Sequence, residues 1–71
     1  TAISYELSAN SYVTLKVYDV LGREVATLVN AVQKIGSYEV QFEGSRLASG
    51  VYFYRLMAGG NVITKKMVLV K

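Results

Sequence analysis

Residues 50–57, read Gly-Val-Tyr-Phe-Tyr-Arg-Leu-Met, constrain this chain more than any other stretch. A glycine opens it, and four of the next seven residues are aromatic or β-branched. Such side chains fit a pleated, half-buried surface. In an extended chain successive side chains point to opposite faces. Tyr52, Tyr54 and Leu56 therefore share one face, and Val51, Phe53, Arg55 and Met57 share the other. Both faces are apolar or amphipathic, so the stretch reads as a central strand covered on both sides.

The flanking segments supply neighbours for such a strand. Residues 1–7 alternate, with Ile3, Tyr5 and Leu7 on one face, and read as an edge strand. Ser8-Ala9-Asn10-Ser11 is a polar turn. Residues 12–19 alternate most cleanly, with Val13, Leu15 and Val17 inward and Thr14, Lys16 and Tyr18 outward. Val20-Leu21-Gly22-Arg23 interrupts the pattern as a tight hairpin, Gly22 supplying the positive φ of a type II or type I′ turn. The return strand, residues 24–29, is ambiguous in its letters, because Val25, Leu28 and Val29 also lie at helical spacing. Residues 30–36 read as an irregular connection. Residues 37–43 alternate again, with Tyr38, Val40 and Phe42 inward. A polar crossover over residues 44–49 carries one apolar plug, Leu47. Gly59-Gly60-Asn61 has the composition of a hairpin turn before a last strand over residues 62–71.

Register tests this hairpin. A two-residue turn at Gly59-Gly60 or Gly60-Asn61 pairs odd with even residues, so Tyr52, Tyr54 and Leu56 share a face with Ile63, Met67 and Leu69. Lys65 interrupts that face and is expected near an edge, its ammonium reaching water. Val68 and Val70 point the other way. About seven short strands, with turn signals every 8–12 residues, predict an all-β, immunoglobulin-like antiparallel β-sandwich. In that architecture a tyrosine opening a late strand bonds back to the preceding crossover, and Tyr52 is placed to do so.

Little chemistry is available on this frame. The 71 residues form one small domain, residues 1–71, with no Cys and no His. A chain of this length buries only about 60% of its unfolded surface. Its stability must come from packing, which 52% hydrophobic residues can supply. Disulfides, the commonest zinc ligands, and Ser/His or Cys/His pairs are all excluded. Asp19 and Glu24 flank a turn and read as partners of Arg23 and Lys16 rather than as an acid pair. Glu39 and Glu43 lie on an outer face. Gly59-Gly60 is no phosphate cradle, since no helix follows it. Tyr5, Tyr38, Tyr52 and Tyr54 face inward, leaving too few tyrosines for a sugar-stacking platform. The expectation is no catalytic residue, no metal and no cofactor.

The net charge is +3, but the basic residues are dispersed, Lys65-Lys66 being the only adjacent pair. Nucleic-acid binding would call for clustered charge. No apolar run approaches the ~18 residues of a membrane-spanning helix, so no transmembrane segment is expected. Residues 65–71, Lys-Lys-Met-Val-Leu-Val-Lys, leave two readings open. They form either an edge strand whose lysines discourage aggregation, or a recognition tail that a partner pairs with by strand addition.

Three segments together resemble a known family: "YVTLKVYDVLGREVATLV" from Tyr12, "GSYEVQFEGSRLASGVYFYRL" from Gly36, and the closing "KKMVLVK". They are similar to the C-terminal sorting domain (type A) of proteins exported by the type IX secretion system. The immunoglobulin-like domain of the flagellar hook-capping protein shares the Leu…Gly-x-Tyr pattern, but the lysine-bounded tail favours the sorting domain. The resemblance implies a non-catalytic targeting domain, the C-terminal part of a longer secreted protein. Its cargo would pass through the periplasm and reach the cell surface or the medium. Its implied partners are an outer-membrane translocon, a shuttle protein and a sortase-like peptidase. The family's motif positions fall on Gly50 and Tyr52, and on Lys65, Lys66, Met67, Val68, Leu69, Val70 and Lys71. A structural alternative uses the same open edges to join copies of the chain by strand addition into an extracellular filament or tube.

Overall fold

The computed structural model describes residues 2–44 and 47–70. Among them are six strands: β1 Ala2–Leu7, β2 Ser11–Tyr18, β3 Glu24–Gln33, β4 Gly36–Gln41, β5 Gly50–Ala58 and β6 Asn61–Leu69. They form two antiparallel sheets, a four-stranded one in the order β3-β2-β5-β6 and a two-stranded one of β1 and β4. The count is six rather than about seven. No described residue between β4 and β5 adds a strand, because that crossover is short, polar and begins at Gly44.

One core joins the two sheets. Ile3 and Leu7 of β1 and Phe42 beyond β4 meet Val13, Leu15 and Val17 of β2 and Tyr52 and Leu56 of β5. Strict alternation selects the β2 residues, and all three are fully enclosed, at 0% exposure. Leu47 packs against the cluster from the crossover, as a plug should. Tyr5 and Tyr38 face each other across β1 and β4 and stack with ring centroids 5.4 Å apart.

β5 is central, between β2 and β6, but it is not covered on both sides. Tyr52 and Leu56 are buried, whereas Arg55 and Met57 on the opposite face are exposed. The second sheet lies over the Tyr52 face only, and two strands can cover only one face of four. On the open face the Arg55 guanidinium sits 5.4 Å over the Tyr18 ring.

β3 runs further than its letters suggest. Residues 30–33 continue the strand, pairing Asn30 with Thr14, Ala31 with Val13, Val32 with Tyr12 and Gln33 with Ser11. The Tyr12 hydroxyl donates to Asn30 Oδ1, and the Tyr5 hydroxyl to Gln33 Oε1. Two register shifts, at Leu15/Lys16 and Val17/Tyr18, each set an extra β3 residue against β2. The inward period therefore breaks twice. That is why Val25, Leu28 and Val29 all touch the core while mimicking helical spacing.

The β2–β3 turn also differs from expectation. Gly22 takes φ +82, but Val20 and Leu21 keep negative φ. Gly22 N–H donates to the Asp19 carbonyl at 3.0 Å. This is a type I turn with glycine in the left-handed position that follows it, neither type II nor I′. Asp19 organises the loop. Its Oδ1 accepts the backbone N–H of Leu21 and of Arg23, each at 2.9 Å, and its Oδ2 meets Arg23 Nε at 2.8 Å. Lys16 Nζ lies 3.0 Å from Glu24 Oε1 across the hairpin.

These pairings carry a pH dependence. The Arg23 backbone N–H, helped by its guanidinium, holds the Asp19 carboxyl below its ordinary value. The Lys16 ammonium, then the Thr27 hydroxyl, do the same for Glu24, and Glu24 raises Lys16 in return. A carboxylate with a depressed folded pKa stabilises above its unfolded pKa, and loses that contribution as the pH falls through the folded one. A raised lysine stabilises below its unfolded pKa and loses its contribution as the pH climbs through the folded one. The hairpin is expected to be most stable between about pH 5 and 10 and to weaken on either side. Thermal melts of the wild type and Asp19→Asn in acid check this. The gap between them should close as the pH drops below about 4, and a gap independent of pH would contradict the assignment.

Candidate functional site

The positions singled out by sequence come together through the β5–β6 register. Gly50 lies opposite Leu69, Val51 opposite Val68, Tyr52 opposite Met67, Phe53 opposite Lys66 and Tyr54 opposite Lys65. Two motifs separated in sequence thus form one ribbon. The turn that joins them is Gly59-Gly60, with Ala58 paired to Asn61, so the first of the two register options is realised.

Gly50 opens β5 with φ +153, a conformation L side chains rarely adopt. A Cβ there would meet nothing within 4 Å, so backbone geometry and not space reserves the position for glycine. Two residues on, the Tyr52 ring is buried and its hydroxyl donates to the Ala48 carbonyl at 2.7 Å. This is the return bond to the crossover that the sequence predicts. It fixes the chain's entry into β5. Tyr52→Phe is expected to cost about 1 kcal/mol, the net worth of one such bond. Tyr54→Phe should cost little, since the Tyr54 hydroxyl has no partner among the described residues. Urea denaturation of both variants checks the contrast, and equal midpoints would contradict it.

Among the described residues, β6 pairs with β5 alone. Met67 and Leu69 are half-buried and pack against the core. Leu69 closes over Gly44 so tightly that a Cβ there would lie 2.8 Å from its Cδ1. Lys65 and Lys66 are exposed, and neither has an ion-pair partner among the described residues. Val68 is 60% exposed and Val70 80% exposed, as the outward apolar face requires. Lys71 lies outside the described residues.

A two-residue turn makes its closing pair a hydrogen-bonded one, and hydrogen-bonded and open pairs then alternate. Odd residues of β6 direct their N–H and C=O to β5. Val62, Thr64, Lys66 and Val68 direct theirs away from the sheet. Val62 and Thr64 thus belong to the same free edge as the tail. Sequence reasoning omitted them from the candidate set, although parity from the Gly-Gly turn would have included them. Ile63 is a second omission. It was assigned inward, yet it is 46% exposed because the two-stranded sheet stops short of β6.

Among the described residues, no group of acidic side chains is placed to hold a metal ion. No helix among them is long and apolar enough to cross a membrane. A family model described as the secretion system C-terminal sorting domain matches residues 1–71. No curated protein and no solved structure matches the chain.

Proposed function

Because the chain belongs to the type IX secretion system C-terminal sorting domain family, we propose that it is a non-catalytic address whose β6 strand is the part that is read. The carrying observation is that, among the described residues, β6 sits at the edge of its sheet, with no strand on its outward main chain and no ion-pair partner for Lys65 or Lys66. An address must keep its own fold while offering something to bind. β5 and the core do the first through Gly50 and Tyr52, and β6 does the second through Lys65, Lys66 and Val68. Met67 and Leu69 anchor the strand to the core so that the edge is presented in one register. Val70 and Lys71 extend the signal beyond the strand.

In this reading residues 1–71 act as one immunoglobulin-like domain at the C-terminal end of a longer exported protein. The domain folds in the periplasm, and the outer-membrane translocon and its shuttle protein take it up by the β6 edge. A sortase-like peptidase then separates it from cargo bound for the cell surface. The test is delivery of a reporter fused ahead of the chain in a type IX-competent cell. Deleting residues 65–71 is expected to leave the reporter in the periplasm. Surface delivery at the normal level would refute the proposal.

A further inference from the structure

The inner face of the four-stranded sheet is sealed at β5 and open at β6. Leu56 and Tyr52 are 6% and 7% exposed, whereas Ile63, the cross-strand partner of Leu56, is 46% exposed and Lys65 on the same face is also exposed. At the hairpin end the gap widens into a groove of about 290 Å³ between the end of β1 and the β5–β6 turn, lined by apolar Leu7, Leu56 and Ile63 together with polar Glu6, Ser11 and Asn61. A strand added to the free edge of β6 would lay one row of side chains along this strip. Its side chains would fall beside Ile63, Lys65 and Met67 in turn, since every second residue faces the same way.

Resting on the reading of β6 as the docking strand, we propose that its partner is an extended acidic segment. That segment carries a carboxylate beside Lys65 and apolar side chains two residues to either side, which cover Ile63 and Met67. The chemistry of the strip sets this pattern. Exposed Ile63 and half-buried Met67 gain from apolar cover. Lys65 between them, without an anionic partner among the described residues, favours a carboxylate, because opposite charges on neighbouring strands attract and like charges repel.

A second copy of the chain is a poor occupant. Two β6 strands paired antiparallel about their centres would set Lys65 directly opposite Lys65 of the other copy, like charge against like. Nor do the chain's other strands offer the pattern. None of Glu6, Glu24, Glu39 and Glu43 has an apolar residue on each side at that spacing. Asp19 has them in Val17 and Leu21, but Arg23 holds it inside the β2–β3 turn.

The experiment titrates the ¹⁵N-labelled 71-residue chain with the capped peptide Thr-Val-Thr-Glu-Thr-Val-Thr, and with the same peptide bearing Lys in place of Glu. The acidic peptide is expected to bind at least about tenfold more tightly. Amide exchange should slow at Thr64, Lys66 and Val68, and Lys65→Glu should invert the preference. Equal binding of the two peptides, binding of neither, or protection at β1 or β3 instead would overturn the inference. So would self-association that grows with chain concentration. Its failure is separable from failure of the sorting role. Normal delivery of a reporter carrying Lys65→Glu, together with lost delivery of a folded Thr64→Pro variant, would remove the acidic partner and leave the address standing.

Discussion

Leu15→Ala is expected to lower the free energy of unfolding by about 3–5 kcal/mol, the upper range for truncating an enclosed leucine. Leu15 has no exposed surface. It lies in the middle of β2, paired with Val29 on one side and Leu56 on the other. Ladders on both flanks hold the backbone, so the sheet cannot fall inward to fill the space, and the lost methyl groups leave a cavity. A domain of this size has roughly 4–10 kcal/mol of total stability. The loss would therefore consume a large share of it, and a sizeable unfolded population should appear at 37 °C. Val32→Ala serves as the control. Val32 is equally apolar but 72% exposed on β3, and it should change stability by no more than about 0.5 kcal/mol. Urea denaturation followed by circular dichroism measures both. A Leu15→Ala cost below about 1 kcal/mol would mean that β2 is not the centre of the core.

The second large effect concerns delivery rather than folding. Deleting the last strand removes Met67 and Leu69 from the core along with the edge, so it cannot separate recognition from stability. A proline makes a finer cut. The N–H of Thr64 points away from β5, and proline is tolerated on an edge strand where its missing N–H would have faced solvent. Thr64→Pro should leave the melting transition near that of the wild type. It should also interrupt any ladder formed by an incoming strand. Delivery of a fused reporter is expected to fall by about tenfold or more, equivalent to about 1.4 kcal/mol or more of docking energy. Ile63→Pro, one residue earlier, removes an N–H directed at β5 and should instead destabilise the fold. Measuring melting and surface reporter for both variants resolves the matter. Full delivery of a folded Thr64→Pro protein would show that the β6 edge is not what the machinery reads.

Much of the candidate site was legible in the letters. The Gly-Gly turn set the β5–β6 parity, and parity alone placed Lys65 on the inner row and Val68 on the outer one. Tyr52 was tied to its crossover by its place behind Gly50, and its hydroxyl bonds there. Asp19 and Glu24 could be matched with Arg23 and Lys16 because a hairpin brings exactly those neighbours within reach. β3 was less readable, since two bulges shift its side chains out of period and no spacing rule survives such a shift.

Local alternation and turn chemistry, which act between residues close in sequence, determined that this chain would be all-β, which residues of β2 and β5 would face inward, and how the last hairpin would register. What only the tertiary structure decided was coverage. The second sheet has two strands and lies over part of one face of the first. It leaves Arg55 and Met57 outside and uncovers Ile63 and Lys65 at the β6 margin. Which face a strand presents follows from its own period. Whether anything lies over that face depends on how many strands the rest of the chain can bring to it, and that is a property of the whole packed molecule.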